Sequence, residues 1–178
     1  MMKLLFVTCF LLVISSDTPA KDMPVAEIDF KADFIVKVTD YVTWPEGAAA
    51  NAAGVVCVAV LGDSPLTPKL KELAAARTSQ GAKMSVTSVT LDDNLSAYQI
   101  LFIATEDKAE LAKILTKVEN KPVLTVSDAY YFARYGVMVN FFKEEGGDGK
   151  VKFEANQMTM GVAGLKMSSK LLKLATII

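Results

Sequence analysis

Acidic and hydroxyl side chains follow the predicted buried strands of this chain, each near the point where a strand ends. They lie in three short segments that together contain Gly62, Asp63, Ser64, Thr105, Ser127 and Asp128. The usual ligand position in an open α/β sheet is the crevice at the carboxyl ends of the strands, so these residues predict a ligand crevice. The competing interpretation, which we favour, is that Asp and Ser cap the helices that follow.

Carboxylates at a sheet edge also match the ligands that magnesium prefers, as in a phosphoacceptor receiver domain. We expect no such ion here, because the chain is predicted below to be exported, away from the phosphoryl donors of the cytoplasm. The segment Gly146–Lys150 is rich in glycine but lacks the spacing of a phosphate-binding loop. The sequence therefore predicts neither a metal nor a cofactor.

The chain contains no histidine among its 178 residues. This composition excludes Ser-His-Asp and Cys-His nucleophile systems, histidine-ligated zinc and histidine pH switches. A pair of carboxylates is the remaining option for acid/base catalysis, and no spacing in the sequence indicates one. We therefore predict that the protein is not an enzyme, with a histidine-free hydrolase as a minor alternative.

The amino terminus has the pattern of a secretory signal peptide, which we place at residues 1–20. Lys3 is followed by the largely apolar run Leu4–Ile14 and then by small residues up to Ala20. The run is shorter than the ~20 apolar residues of a membrane-spanning helix, and an uncleaved anchor is the alternative. The chain is therefore predicted to be exported.

Cysteine usage and charge further narrow the class of protein. Cleavage after Ala20 removes Cys9 and leaves Cys57 alone, so no internal disulfide is predicted. Cys57 lies in the apolar run Val55–Leu61 and is expected to be a buried, unreactive thiol, with pairing between two chains as the minor alternative. A net charge of −1 does not indicate the basic surface that nucleic-acid binding requires.

Residues 21–178 are predicted to form one α/β domain, because strand-like and helix-like patterns alternate along them. The expected architecture is a three-layer sandwich: about four β-α units form a mostly parallel sheet with helices on both faces, and a C-terminal antiparallel hairpin extends it. The predicted strands are Val55–Leu61, Lys83–Thr90, Ile100–Ala104, Val123–Val126, Gly136–Phe142 and Val151–Asn156. The predicted helices are Val25–Thr43, Leu66–Ser79, Glu106–Glu119 and Gly164–Ile178.

The first predicted helix carries an apolar stripe that we expect to face the core. The helix is predicted to end before Pro45. The residues of the stripe recur at helical spacing and are Phe30, Phe34, Val38 and Tyr41, with Ile28, Ile35 and Val42 on the same face. Tyr41 and Trp44 are expected at the end of the helix, where large aromatic side chains usually serve packing.

The final predicted helix carries a basic stripe of Lys166, Lys170 and Lys173, spaced four and three residues apart. Its inward-facing residues are expected to be Leu165, Leu171, Leu172 and Leu174. We interpret the lysines as a solvated face that complements the helix dipole, rather than as a binding surface for acidic lipids or an acidic partner.

Four ordered stretches of the chain carry a family resemblance. They are K-A-D-F-I-V-K-V-T-D-Y-V-T-W-P at Lys31–Pro45, V-C-V-A-V-L-G-D-S-P at Val56–Pro65, Q-I-L-F-I-A with P-V-L-T-V-S-D between Gln99 and Asp128, and V-K-F-E-A-N with G-L-K-M-S-S-K-L-L-K-L-A between Val151 and Ala175. In this order and spacing they resemble the YfiR family of periplasmic proteins, across essentially the whole mature chain.

The resemblance implies a periplasmic repressor that binds the sensor region of an inner-membrane diguanylate cyclase and lowers cyclic di-GMP and biofilm signalling. It also implies that the protein forms a homodimer, catalyses no reaction and contacts the membrane only through its partner. The segments with the strongest family pattern, and so the implied partner surface, contain Tyr41, Trp44, Pro45, Ser168, Ser169 and Lys170. Trp44→Ala and Lys170→Glu are expected to weaken repression while the fold persists.

The sequence departs from the family pattern at its cysteines. Better-known members carry redox-responsive cysteine pairs, and Tyr98 and Gln99 occupy the place of one such cysteine here. A disulfide switch is therefore not expected. Because a fold can host unrelated functions, a periplasmic protein that binds a small molecule at the strand-end crevice is the alternative prediction.

Overall fold

A seven-stranded sheet forms the centre of the computed structural model, which describes residues 23–80 and 83–178. The signal peptide predicted at residues 1–20 lies outside the described residues. The strands of this sheet are β2 (Val56–Leu61), β3 (Met84–Val89), β4 (Ile100–Ile103), β5 (Leu124–Ser127), β6 (Val139–Lys143), β7 (Val151–Ala155) and β9 (Thr176–Ile177). Two further strands, β1 (Val42–Thr43) and β8 (Lys166–Met167), pair with each other.

The strand order β3-β2-β4-β5-β6-β7-β9 confirms the predicted α/β class. Strands β3, β2, β4, β5 and β6 run parallel to one another, as in the register pairs Val58↔Ile100 and Ile103↔Ser127. The hairpin β6–β7 is antiparallel, and its tip lies in the polar segment where the sequence predicts it. The parallel strand β9 extends the sheet beyond this hairpin and was not predicted.

Helices cover both faces of the sheet and complete the predicted three layers. Helices α1 (Val25–Lys37) and α2 (Leu66–Ser79) bury Ile35, Leu66 and Leu70 against one face. Helix α3 (Lys108–Lys117) buries Leu111 and Ile114 against the other. Side chains of a strand alternate between faces, so β2 contributes to both cores. No helix in the described part of the chain is long and apolar enough to cross a membrane.

Helix α1 ends earlier than predicted, and part of its predicted apolar stripe is exposed. It stops at Lys37, and a 3₁₀ turn over Val38–Asp40 leads into β1. Ile35 and Val38 are buried as predicted, and Ala32 and Val36 are buried as well. The predicted inward residues Phe30 and Tyr41, however, are 43% and 41% exposed. The reason is that α1 packs against α2 as well as the sheet, which shifts the covered side of the helix.

The predicted final helix over Gly164–Ile178 is wrong. The segment contains β8, the short helix α5 (Ser169–Leu172) and β9, and it follows the helix α4 (Gln157–Val162). Gly164 adopts φ +74°, which ends helical geometry, and the next residues pair with β1. Lys166, Lys170 and Lys173 therefore share no helix, and Leu174 is 73% exposed instead of inward.

Cys57 is partly exposed, which corrects the prediction of a fully buried thiol. It lies in the first half of β2, where the strand is less covered than in its second half. The side-chain amide of Asn51 donates a hydrogen bond to its Sγ at 3.3 Å.

Candidate functional site

Strands β1 and β8 bring together the two segments of the implied partner surface, which are more than 120 residues apart in the sequence. Val42 pairs with Met167 and Thr43 with Lys166 in an antiparallel register. The backbone N–H of Ser168 donates to the carbonyl oxygen of Tyr41 at 2.7 Å. The predicted site residues on either side of this pairing are therefore neighbours in space.

Trp44, Pro45 and Ser168 hold this corner of the fold together. Trp44 is 8% exposed, and its indole Nε1–H donates to the carbonyl oxygen of Pro122 at 3.0 Å. Pro45 lies so close to Gly164 that a Cβ there would be 2.9 Å from the proline Cγ. The Ser168 hydroxyl accepts from the N–H of Leu171 at 3.4 Å and caps α5. These three residues serve packing and local structure.

Tyr41, Ser169 and Lys170 are exposed, and two of them border a surface groove of about 310 Å³. We call it the apolar groove; it is lined by Phe30, Asp33, Phe34, Lys37, Val38, Tyr41, Lys170, Leu171 and Leu174. Phe30 and Leu174 are 43% and 73% exposed, so large apolar side chains meet solvent together here. Such clusters with a charged rim are typical of surfaces that bind other molecules.

The predicted crevice residues are engaged mainly in local turns. The Ser64 hydroxyl accepts from the N–H of Leu66 at 3.2 Å, and Thr105 Oγ1 accepts from the N–H of Asp107 at 3.2 Å. Ser127 is fully buried and donates to the carbonyl oxygen of Ile103 at 2.9 Å. These contacts agree with the capping interpretation.

Gly62 and Asp63 complete the first of the three predicted crevice segments. Gly62 adopts φ +91° against Ala104, where a Cβ would lie 3.0 Å from the carbonyl oxygen. Only a glycine fits this close approach of two chain segments without strain. Asp63 is exposed on the surface beside it. Neither residue lines the cavity that opens beside Asp128.

Asp128 differs from the other crevice residues, because it belongs to a buried ionic network. Lys31 is 3% exposed, and its ammonium lies 2.7 Å from Asp128 Oδ2 and 2.6 Å from Glu27 Oε1. Lys143 forms a second ion pair with Glu27. Burial alone would raise the pKa of Glu27, but hydrogen bonds from Lys143 and Lys31 outweigh it and hold that pKa below its ordinary value.

A cavity of about 410 Å³ opens beside Asp128, at the carboxyl ends of β5 and β6. We call it the strand-end cavity; it is lined by Glu106, Lys108, Asp128, Tyr130, Tyr131, Phe132, Asn140, Phe141, Phe142, Lys143 and Glu154. Its position agrees with the rule for open α/β sheets, although it lies further along the sheet than predicted. The sequence pattern did not mark Asn140 and Glu154 as site residues, because each is a single polar residue inside a predicted strand.

The described residues contain no group of three or more His, Cys, Asp or Glu side chains that could hold a metal ion. Among the carboxylates near the strand ends, Asp107 accepts a hydrogen bond in a local turn and Asp128 belongs to the network around Lys31.

The family model described as YfiR/HmsC-like matches residues 28–176. The chain belongs to the YfiR/HmsC-like family. The resemblance inferred from the four sequence stretches is thereby confirmed. A comparison with curated proteins finds no match.

In this YfiR/HmsC-like chain, the matched region includes the β1–β8 pairing, the apolar groove and the strand-end cavity. The residues with the strongest family pattern divide into two groups. Trp44 and Ser168 are bonded within the fold, whereas Tyr41, Ser169 and Lys170 are available on the surface. The second group is the one that can contact a partner directly.

Proposed function

We propose that this YfiR/HmsC-like protein is a non-catalytic periplasmic regulator that binds the sensor region of an inner-membrane diguanylate cyclase. Family membership supports a regulatory role in cyclic di-GMP signalling. The signal-peptide pattern at residues 1–20 supports export to the periplasm. In this proposal the bound protein represses the cyclase, and its release raises cyclic di-GMP and promotes biofilm.

The apolar groove is the observation that carries the proposal for the partner surface. It gathers Phe30, Tyr41 and Leu174, all exposed, next to the segment containing Ser169 and Lys170. Tyrosine is enriched among the residues that dominate binding energy at interfaces, and apolar side chains in a groove can anchor a partner. Lys170, Lys37 and Asp33 add charges at the rim, where they influence the rate and specificity of association.

The proposed mechanism is a population shift in the sensor. The repressor binds the inactive state of the cyclase more tightly than the active state, and this difference in affinity holds the enzyme inactive. Moving a sensor from 1:99 to 99:1 in favour of one state takes a difference of about 5.5 kcal/mol. Several apolar side chains of the groove that contact the partner together can supply this difference in binding free energy, whereas a single charge cannot.

The test uses Tyr41→Ala and Lys170→Glu, with Lys113→Glu as a matched charge reversal on α3, which covers the opposite face of the sheet. We expect each groove variant to weaken binding to the sensor region at least tenfold, which corresponds to about 1.4 kcal/mol, and to raise cellular cyclic di-GMP. Lys113→Glu should leave both unchanged. Wild-type affinity and cyclic di-GMP in both folded groove variants would contradict the proposal, as would retention of the chain in the cytosol on cell fractionation.

We further propose that the protein is a homodimer and that it meets the membrane only through its partner. Multi-angle light scattering on the purified protein should give twice the mass of one mature chain, and the protein should not sediment with lipid vesicles. A monomer at micromolar concentration, or direct binding to vesicles, would argue against this part of the proposal.

The strand-end cavity favours a second candidate function, the binding of a small molecule. Its volume of about 410 Å³ lies in the range of ligand pockets, and aromatic and polar side chains line it. A ligand at 100 times its dissociation constant would stabilise the protein by about 2.7 kcal/mol, which a thermal-shift screen of metabolites can detect. A screen without any shift would favour the regulator that acts through protein contact alone.

A further inference from the structure

Two buried polar residues lie opposite each other in the wall of the strand-end cavity. Asn140 on β6 pairs with Glu154 on β7 in the antiparallel register, so their side chains project from the same face of the sheet. Asn140 is 1% exposed and Glu154 is 9% exposed. Both residues line the cavity.

The hydrogen-bonding capacity of this pair is incompletely used. The Asn140 amide donates to the carbonyl oxygen of Ala129 at 3.1 Å and to Glu154 Oε2 at a long 3.5 Å. The Asn140 Oδ1 is buried and has no hydrogen-bond partner among the described residues. Buried polar atoms in folded proteins nearly always have a hydrogen-bond partner, so the position of this acceptor needs an explanation.

The carboxylate of Glu154 is also incompletely paired. Within the described part of the chain, the one side-chain hydrogen bond of Glu154 is the long contact with Asn140. No basic side chain in that part forms an ion pair with Glu154. The lysines that line the cavity contact other residues: Lys143 pairs with Glu27, and Lys108 lies 4.9 Å from the ring centre of Tyr135. Buried carboxylates are normally paired, so this one lacks a cation.

We propose that the strand-end cavity binds a small organic cation, whose ammonium or guanidinium group donates hydrogen bonds to Asn140 Oδ1 and Glu154. A cationic donor satisfies both groups at once, whereas an anion would be repelled by Glu154 and a purely apolar ligand would leave both unpaired. The cavity of about 410 Å³ accommodates a molecule the size of a diamine or an amino acid.

An aromatic pair at the rim supports a cationic ligand. Tyr130 is 75% exposed, and its ring lies 3.8 Å from that of Tyr131, centre to centre. Arg134 already lies 5.0 Å from the Tyr131 ring, so this pair contacts one cation in the structure. Tyr131 adopts φ +64°, a left-handed conformation that is uncommon outside glycine and concentrates at functional sites.

This inference names the ligand class for the second candidate function and does not rest on the regulatory proposal. The cavity and the apolar groove share no lining residue among those described. Binding is measured on the isolated protein, whereas the regulatory proposal is measured with the cyclase, so failure of one is distinguishable from failure of the other.

The experiment titrates the purified protein with 1,4-diaminobutane and with methylguanidine, followed by calorimetry and by NMR of the Asn140 side-chain amide. We expect saturable binding of at least one cation that shifts the Asn140 signals. The neutral analogue 1,4-butanediol and potassium chloride at equal ionic strength should leave those signals in place. Absence of a shift with both organic cations, or an equal shift with the diol or with potassium, would overturn the proposal.

The variant Glu154→Gln keeps the shape of the side chain and removes its charge. We expect it to weaken binding of the organic cation at least tenfold, while Glu72→Gln, an exposed change on α2, has no effect. Equal affinity of Glu154→Gln and wild type would overturn the role of the carboxylate. The NMR titration of the wild-type protein decides the proposal even where the Glu154 variant fails to fold.

Discussion

Individual residues of the implied partner surface serve different purposes, and Trp44 is the clearest case. Its place in the family pattern suggests a binding residue, whereas its residue type favours packing. The structure gives it a buried position with a hydrogen bond from its indole to Pro122. The expectation that Trp44→Ala weakens repression while the fold persists is therefore replaced by an expectation about stability.

Trp44→Ala should lower the free energy of unfolding by about 3–5 kcal/mol, because it leaves a cavity in the core and removes the donor to the Pro122 carbonyl. Urea denaturation followed by circular dichroism measures this change. Tyr41→Ala, three residues away and 41% exposed, should cost about 0.5 kcal/mol or less and serves as the control. Equal effects of the two substitutions would show that Trp44 is not part of the core.

Glu27 links the stability of the fold to pH. Its pKa in the folded protein lies below the ordinary 4.5, so the unfolded chain binds the proton more readily. The stabilisation is therefore present above pH 4.5 and is lost as the pH falls through the lower pKa of the folded state. We expect the free energy of unfolding of wild type to decrease more steeply below pH 4.5 than that of Glu27→Gln.

Urea titrations between pH 7 and pH 3 test this expectation for Glu27. Glu46→Gln, at an exposed position, provides the control and should follow the pH dependence of wild type. Parallel curves for Glu27→Gln and wild type would mean that the ion pairs with Lys31 and Lys143 do not favour the ionised carboxylate.

At the scale of elements, the pairing of β1 with β8 depends on a close approach at Gly164. This residue adopts φ +74°, and a Cβ would lie 2.9 Å from Pro45 Cγ. Gly54 has nearly the same backbone conformation, φ +72°, with nothing within 4 Å of its Cβ position. A comparison of alanine substitutions at the two positions therefore separates the effect of the backbone conformation from the effect of the steric contact.

Gly54→Ala should destabilise the protein by roughly 1–2 kcal/mol, the cost of placing an L-residue in the left-handed region. Gly164→Ala should cost more, because the added methyl group also displaces Pro45. The difference in the free energy of unfolding between the two variants measures the contact at the β1–β8 corner. An equal loss in both would indicate that Pro45 moves away without penalty.

At the scale of the whole molecule, two cores lie on opposite faces of one sheet. Strands β2 and β4 supply side chains to both, as with Val60 on one face and Leu61 on the other. Because these strands are shared, loss of packing on one face should weaken the packing on the other. The domain predicted for residues 21–178 should therefore unfold as one cooperative unit.

The fluorescence of Trp44, the single tryptophan, reports on the core beneath α1, whereas far-ultraviolet circular dichroism reports on all elements. We expect the two signals to give the same urea midpoint and the same slope. Transitions at different midpoints would show that the two faces unfold separately and would contradict a single cooperative domain.

The sequence by itself determined the parallel sheet, the helices α2 and α3, the β6–β7 hairpin and the family. Buried strands appear as continuous apolar runs such as Val55–Leu61, and helices and hairpins follow from local periodicity and turn composition, so neighbouring residues contain enough information to predict them. The same local information placed the polar residues Ser64 and Ser127 at the strand ends.

Only the tertiary structure decided how the distant parts meet. The strands β1, β8 and β9 have two residues each, too few for a periodic pattern, and they form because a remote segment supplies their hydrogen-bond partners. Contacts between distant segments also decide that Trp44 is buried, that Tyr41 and Lys170 line the same groove, and that Asn140 on β6 lies opposite Glu154 on β7. Local propensity cannot specify such contacts, because their energy depends on both partners and on the packing that holds them together.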